Sequence, residues 1–229
     1  MKPEKKLVVV AGVGQGLGAG LVQFFLDKNC QVIGLNRSAS QLQHKCYKEY
    51  LVDLCDEAAL DEIKNNIFSE QGAPDVLIHN TQKLVIESVE STSSTQFEAC
   101  WRAISLSAFS LSKAFLPAMA QRGQGTMIVS GATASMRGGA KFSAFSSAKF
   151  ALRGLTQSLA RSYQNQGLHV VHVVLDGIVN TAKSCELHNM GSESMMSAYD
   201  IAEVYWQLIQ QPKSTRTHEL DLRPASESF

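Results

Sequence analysis

The sequence predicts a doubly wound α/β fold, and three observations support that prediction. Short apolar runs alternate with longer helical patterns from one end of the chain to the other. Several of these runs carry β-branched residues at consecutive positions, which is typical of parallel strands buried on both faces. A glycine-rich turn joins the first apolar run to the first helical pattern. We therefore expect one parallel sheet covered by helices on both sides.

Each element is predicted from its own pattern. Short apolar runs predict strands at Leu7–Ala11, Gln31–Leu35, Tyr50–Val52, Val76–Ile78, Thr126–Val129, Val170–Leu175 and Glu219–Leu222. Longer stretches with helical spacing of apolar residues predict helices at about Leu17–Lys28, Glu57–Asn66, Thr95–Met119, Ala144–Gln164 and Asp200–Gln210. No linker, low-complexity tract or repeat interrupts the alternation, so residues 1–229 are predicted to form one domain. The stretch Thr181–Ser197 is rich in Ser, Met and Glu, and we expect it to be a mobile substrate lid.

Composition excludes several classes of function. The 229 residues carry 21 basic and 21 acidic side chains, and the zero net charge argues against a general electrostatic attraction to nucleic acid or anionic lipid. The five cysteines are scattered and include no C-x-x-C pair, which predicts neither a disulfide framework nor a zinc site. No window approaches 18 uninterrupted apolar residues, so no membrane span is expected. We expect a reduced, soluble, cytoplasmic protein without a metal.

The first strand runs directly into a glycine-rich turn, Gly12-Val13-Gly14-Gln15-Gly16-Leu17-Gly18. Glycines permit a tight turn and let the backbone approach a pyrophosphate closely at the N-terminus of a helix. Because the turn follows a strand, opens a helix and lies about 20 residues from the next strand, it predicts a dinucleotide site. The alternative is a glycine-rich turn with no ligand.

The second strand ends at Asn36 and Arg37. A carboxylate at this place usually binds the ribose 2′-hydroxyl of NAD, whereas an arginine suits a 2′-phosphate. Asn36 has no charge to repel a phosphate and Arg37 can pair with one, so NADP is favoured, with NAD still possible. The alternative for Arg37 is a solvated side chain at a strand end.

With these motifs the chain resembles the short-chain dehydrogenase/reductase family over nearly its whole length. The resemblance implies a Rossmann-type three-layer sandwich with a seven-stranded parallel sheet, a bound dinucleotide, and a homodimer or homotetramer. The family's aspartate beside the adenine corresponds to Asp53, next to Leu54, and its N-N-A-G motif corresponds to His79-Asn80-Thr81-Gln82. The motif after its sixth strand corresponds to Asp176-Gly177-Ile178-Val179-Asn180-Thr181. These matches add Asn80, Gly177 and Thr181 to the expected cofactor site.

The catalytic motif departs from the family. Where the family has Tyr-x-x-x-Lys, this chain has Phe145 and Lys149, so the lysine is kept and the phenol is lost. Counting back from Phe145, the substrate-binding serine position holds Ala132, and the asparagine position on the preceding helix holds Ile104. Lys149 remains to hold the nicotinamide ribose. The hydroxyls that could substitute for the missing groups, along with Lys149 itself, belong to Thr133, Ser143 and Ser146.

Two hypotheses follow. In the first, the protein is an NADP(H)-dependent oxidoreductase for a small carbonyl or alcohol substrate and uses an unconventional acid, which costs about 10²–10⁴ in rate. In the second, it binds the dinucleotide without turnover, as a sensor or partner subunit. An oligomer is expected because the helices Thr95–Met119 and Ala144–Gln164 carry more apolar residues than one sheet face can cover. These include Trp101, Leu106, Phe109, Phe115, Leu152, Leu155 and Leu159.

Overall fold

A computed structural model describes residues 5–189 and 191–226. Seven strands form one sheet in the order β3-β2-β1-β4-β5-β6-β7, and every neighbouring pair is parallel. Their bounds are β1 Leu7–Ala11, β2 Gln31–Asn36, β3 Tyr47–Leu51, β4 Val76–His79, β5 Gly125–Ser130, β6 Leu168–Leu175 and β7 Glu219–Leu222. The strand order reverses between β1 and β4, which opens a crevice at the carboxyl ends of the strands. The predicted doubly wound sheet is confirmed.

The helices divide between the two faces of the sheet. Their bounds are α1 Leu17–Asp27, α2 Glu57–Gln71, α3 Ser94–Trp101, α4 Ser107–Gln121, α5 Ser143–Tyr163, α6 Ala182–His188 and α7 Ala198–Ile209. The helices α2, α4 and α5 contribute to one apolar cluster, and α1 and α7 contribute to the other. Because both sheet faces are covered, all residues of β1, β4 and β6 are buried.

The predicted helix Thr95–Met119 is not continuous. A π-helical turn at Arg102–Leu106 separates α3 from α4, so the helical register shifts in the middle of the apolar stretch. The pattern of apolar residues does not reveal such an inserted residue, because every residue of the turn remains compatible with a helix. The whole stretch Ser94–Gln121 is apolar enough to cross a membrane by length and mean hydropathy, but 56% of its most apolar window is buried inside this fold. It is a core helix of the sandwich.

Three other elements differ from their predictions. The strand predicted at Tyr50–Val52 is β3, which lies at the sheet edge and begins at Tyr47. Its polar residues kept its first half from being recognised as an apolar run. Helix α2 continues beyond Asn66 to Gln71. The segment predicted to be a lid contains α6 and a 3₁₀ turn at Ser192–Ser194, while Met190 lies outside the described residues.

The predicted apolar stripe on the long helices is only partly exposed. Phe115 and Leu152 are fully buried against the sheet, which corrects the expectation that they contribute to an unpartnered face. Trp101 and Phe109 remain 39% and 46% exposed. Phe150 on α5 is also exposed. The surface therefore retains aromatic residues on α3, α4 and α5, but fewer than the sequence suggested.

One buried hydrogen bond ties α7 to the centre of the sheet. The hydroxyls of Tyr205 and Ser130 lie 2.9 Å apart, and Tyr205 is fully buried. We expect Tyr205→Phe to lower the free energy of unfolding by about 1–2 kcal/mol, because Ser130 loses its side-chain partner. Urea denaturation measures the change. Tyr199→Phe is the control, because Tyr199 is 50% exposed and should tolerate the same substitution; equal effects of the two substitutions would contradict the assignment.

Candidate functional site

A cavity of about 1040 Å³ lies at the carboxyl ends of the strands, where the strand order reverses. It is lined by the glycine-rich turn, by the ends of β2, β4, β5 and β6, and by the start of α5. Most of the predicted cofactor residues line it, namely Gly12, Gly14, Gly16, Leu17, Gly18, Asn36, Arg37, Asp53, Leu54, Asn80, Lys149, Gly177 and Thr181. Gln15 is exposed and is not among these lining residues, so its place in the cofactor site stays a prediction.

The glycine-rich turn packs backbone against backbone. Gly12 has a φ of +94°, and a Cβ there would lie 2.8 Å from the carbonyl oxygen of Asn80. A Cβ on Gly18 would collide with the Gly12 carbonyl. A Cβ on Gly14, by contrast, would meet no protein atom within 4 Å, although Gly14 lines the cavity. The turn therefore places bare backbone beside open space, which is what a closely held ligand requires.

Asn36 holds this turn in place. Its Oδ1 accepts a hydrogen bond from Val13 N at 2.6 Å, and its Nδ2 donates to Glu49 Oε1 at 2.6 Å. Burial opposes ionisation of Glu49, but hydrogen bonds from Ser40, Tyr47 and Asn36 hold the pKa of this carboxyl below its usual value. The side chain of Asn36 is thus occupied inside the protein. Asn36 lines the cavity with both polar atoms already bonded to protein partners, and its predicted contact with the cofactor stays a prediction.

Arg37 has a different environment from Asn36. Its side chain is exposed, lines the cavity, and forms no ion pair within the described ranges 5–189 and 191–226. Asp53 also lines the cavity and accepts a hydrogen bond from Cys55 N at 2.9 Å. Leu54 beside it is buried. The cavity lining thus includes the guanidinium of Arg37, the carboxylate of Asp53 and the apolar side chain of Leu54.

The other end of the cavity contains a buried cation. The ammonium of Lys149 donates to the carbonyl oxygen of Ser130 at 2.9 Å, and Lys149 is 1% exposed. Burial lowers the pKa of Lys149 to about 8. The same ammonium lies 5.6 Å from the centre of the Phe145 ring. The structure therefore brings together the two residues of the predicted catalytic motif, and the ring at the tyrosine position has no hydroxyl.

The proposed substitutes are distributed unevenly. Ala132, Thr133, Phe145 and Ser146 line the cavity, whereas Ile104 is fully buried in the core. Ser143, which was predicted as a possible substitute, does not line the cavity. No tyrosine is among the described lining residues. None of the described lining residues can therefore supply a phenol as a proton donor.

Ser146 is the most unusual of the lining hydroxyls. Its Oγ is buried and has no hydrogen-bond partner among the residues that the structure describes. A buried hydroxyl without a partner costs about 1–3 kcal/mol, so a ligand that bonds to it is favoured. The sequence named Ser146 as a candidate only because it neighbours Phe145.

One polar group at the site, Asp176, was not predicted. Asp176 is buried at the end of β6 and accepts a hydrogen bond from Thr133 Oγ1 at 2.5 Å. Its signal was available, because Asp176 stands first in the motif that follows the sixth strand. His79 is fully buried behind two lining hydroxyls, with its Nε2 2.9 Å from Ser107 Oγ and 2.8 Å from Thr81 Oγ1. Burial lowers the pKa of His79 to about 3, so it is a neutral structural residue.

The family model for short chain dehydrogenase matches residues 6–190 of this chain. The chain belongs to the short-chain dehydrogenase family. Membership makes it an oxidoreductase at the level of the family, with the glycine-rich turn and Lys149 in their expected places.

Relatives agree with this assignment. The chain is 26% identical over 189 residues to the 3-oxoacyl-[acyl-carrier-protein] reductase FabG of Salmonella typhimurium, covering 79% of this chain and 76% of the relative. It is 22% identical over 226 residues to an uncharacterized oxidoreductase of Staphylococcus aureus strain N315, covering 96% and 97%.

Solved structures share the fold. A short-chain dehydrogenase from Rhodopseudomonas palustris is 28% identical, with a TM-score of 0.83 and coverage of 97% of this chain and 100% of that one. ElxO with NADP bound has a TM-score of 0.87 at 21% identity, covering 97% and 99%. A variant of ElxO in which a tyrosine is replaced by phenylalanine, solved with NADPH bound, has the same TM-score, identity and coverage.

Proposed function

We propose that this short-chain dehydrogenase binds NADP(H) and interconverts a small carbonyl and its alcohol, with Lys149 as the proton-exchanging group. The observation that carries the proposal is one cavity lined by the glycine-rich turn, the free Arg37 and a buried Lys149 with a pKa of about 8.

The residues fit a dinucleotide. Open space beside Gly14 and the bare turn between Gly12 and Gly18 leave room for a pyrophosphate against the backbone. Arg37, Asp53 and Leu54 line the same cavity, and Arg37 supplies a positive charge for an adenosine 2′-phosphate. ElxO, a structural neighbour, is solved with NADP. Its phenylalanine variant, solved with NADPH, supports the proposal that a cofactor can be held without a tyrosine.

The chain's own residues supply binding, orientation and a proton. The nicotinamide, when bound, supplies or receives the hydride. Lys149 is anchored by the Ser130 carbonyl, so its remaining N–H groups are available to the cavity. Its lowered pKa allows the ammonium to give a proton to a developing alkoxide near neutral pH, and the free amine to accept one from an alcohol. Ser146 adds a hydroxyl that needs a partner.

A second candidate function is a dinucleotide sensor or partner subunit without turnover. Phe145 and Ala132 on the cavity wall favour it, because neither side chain exchanges protons. The two candidates separate in one pair of measurements. NADPH binding with consumption of NADPH over a panel of carbonyl compounds supports the enzyme, and binding without consumption supports the sensor.

Cofactor choice tests the role of Arg37. We expect NADPH to bind at least tenfold more tightly than NADH, because a charge-assisted hydrogen bond to a 2′-phosphate contributes about 1.5–3 kcal/mol. Arg37→Ala should remove most of that difference, while NADH affinity stays unchanged. Isothermal titration with both nucleotides measures it. Equal affinities of the unaltered protein for NADPH and NADH would refute the assignment.

The pH dependence of turnover tests Lys149. If its ammonium donates the proton, carbonyl reduction should fall as pH rises through about 8, and alcohol oxidation should rise through the same value. Initial rates between pH 6.5 and 9.5 measure both directions. Lys149→Met should abolish the dependence along with most turnover. Reduction that is unaffected by pH across this range would show that another group gives the proton.

Restoring the phenol tests whether its loss limits the chemistry. Phe145→Tyr would place a hydroxyl on a ring whose centre lies 5.6 Å from the Lys149 ammonium, and reduction should accelerate measurably. The gain should be partial, since Ala132 and Ile104 still lack polar groups. Phe145→Tyr with Ala132→Ser should exceed the single change more than additively. Slower turnover of Phe145→Tyr than of the unaltered protein would contradict this account.

We also propose a homodimer or homotetramer in the cytoplasm. Phe97, Trp101, Phe109 and Phe150 leave an aromatic surface on α3, α4 and α5, each between 39% and 46% exposed. We expect sedimentation velocity to show a dimer or larger species, and Phe109→Glu to dissociate it. A monomer at all concentrations would contradict the proposal.

A further inference from the structure

A chain of polar groups begins on the cavity wall and runs out to the last strand. Thr133 Oγ1 donates to Asp176 Oδ1 at 2.5 Å, and Asp176 Oδ2 pairs with Arg223 Nη2 at 2.7 Å. Arg223 Nη2 also lies 3.1 Å from Asp221 Oδ2. Asp176 is 6% exposed, and both Thr133 and Asp176 line the cavity. The ion pair compensates a negative charge that would otherwise be costly to bury.

The hydrogen bond sets the polarity of the threonine. A threonine hydroxyl has one proton and two lone pairs, and the proton of Thr133 is committed to Asp176. Toward the cavity, Thr133 can therefore only accept. The ammonium of Lys149 lines the same cavity and is bound to the carbonyl of Ser130, three residues before Thr133, and it can only donate while it is protonated. A ligand lying between them must offer an acceptor to Lys149 and a donor to Thr133.

The cavity's charges narrow the kind of donor. The cations that line the cavity outnumber the two carboxylates among its described lining residues, and the carboxylate nearest Thr133, Asp176, is already paired with Arg223, so a cationic donor such as an ammonium is repelled. The cations are Arg37, Arg102, Arg137, Lys149 and Lys183, and the second carboxylate is Asp53. A neutral hydroxyl meets both requirements. It donates a hydrogen bond to Thr133 and brings no charge into the cavity.

We propose that the Thr133–Asp176 pair determines specificity, and that the substrate carries a hydroxyl next to the carbonyl that is reduced. The substrate class is thus a hydroxyketone, or the corresponding diol in the oxidation direction. The reduction of this carbonyl rests on the proposed oxidoreductase function. The preference for binding a hydroxyl does not, because it depends only on Thr133 and Asp176. Thr133 is here a residue that selects the substrate, and Asp176 positions it.

Three matched probes test the preference, namely 2-hydroxycyclohexanone, 2-methoxycyclohexanone and cyclohexanone. Their binding is measured by saturation-transfer NMR with and without NADPH, and KM and kcat are measured wherever turnover occurs. We expect the hydroxyketone to bind about tenfold more tightly than its methyl ether, because only the hydroxyl satisfies Thr133. Thr133→Val should remove that preference through KM or Kd, while Thr133→Ser keeps it.

Variants of the carboxylates give the control. Asp176→Asn should weaken the preference, because it no longer fixes the direction of the Thr133 proton. Asp221→Asn, the same change one contact farther from the cavity, should preserve it. Equal binding of 2-hydroxycyclohexanone and 2-methoxycyclohexanone to the unaltered protein would overturn the inference. A Thr133→Val variant that still discriminates between these two probes would overturn it as well. If NADPH does not bind, the proposed function is overturned. The binding of the probes without NADPH then still tests the role of the Thr133–Asp176 pair.

Discussion

The crowding around the Gly12 carbonyl is the constraint on which the site depends. Asn80 Nδ2 donates to this oxygen at 3.1 Å, and the missing Cβ of Gly18 lets the start of α1 pass directly over it. These contacts connect β1, the end of β4 and α1 at the point where the strand order reverses. Asn36 then fixes the adjacent Val13 from the side of β2. A side chain at Gly12 or Gly18 would push these elements apart and would distort the turn that lines the cavity.

The two ends of the cavity differ in the polar side chains that line them. At one end, the turn, Arg37 and Asp53 line the space in which we propose that the dinucleotide binds. At the reacting end, Lys149 keeps its anchor on Ser130, but the ring beside it has no hydroxyl. Burying an ammonium without a carboxylate partner is unfavourable, and the lowered pKa of Lys149 expresses that cost. The same cost makes the lysine a better proton donor than a solvated one.

The sequence predicted the sheet, most helices and the glycine-rich turn because these depend on local patterns. Alternating apolar runs and one glycine-rich turn are sufficient to predict β1, α1 and the turn between them. The π-turn at Arg102–Leu106 escaped prediction because a single inserted residue leaves composition unchanged. Thr133 and Asp176 are 43 residues apart, so their hydrogen bond depends on the pairing of β5 with β6 and not on any local pattern. The occupied side chain of Asn36 was missed for the same reason, since its partner Glu49 lies on the next strand.

Gly14 allows the most direct test of the claim that this cavity holds a dinucleotide. A side chain there meets no protein atom within 4 Å, so Gly14→Val should leave the thermal unfolding temperature unchanged while its methyl groups occupy the space beside the turn. Gly154→Val on α5 serves as the control, because it also meets no protein atom and does not line the cavity. Titration of NADPH fluorescence should show binding to the unaltered protein and to Gly154→Val, and at least a hundredfold loss for Gly14→Val. Equal NADPH affinity in all three proteins, or no binding to the unaltered one, would contradict the account.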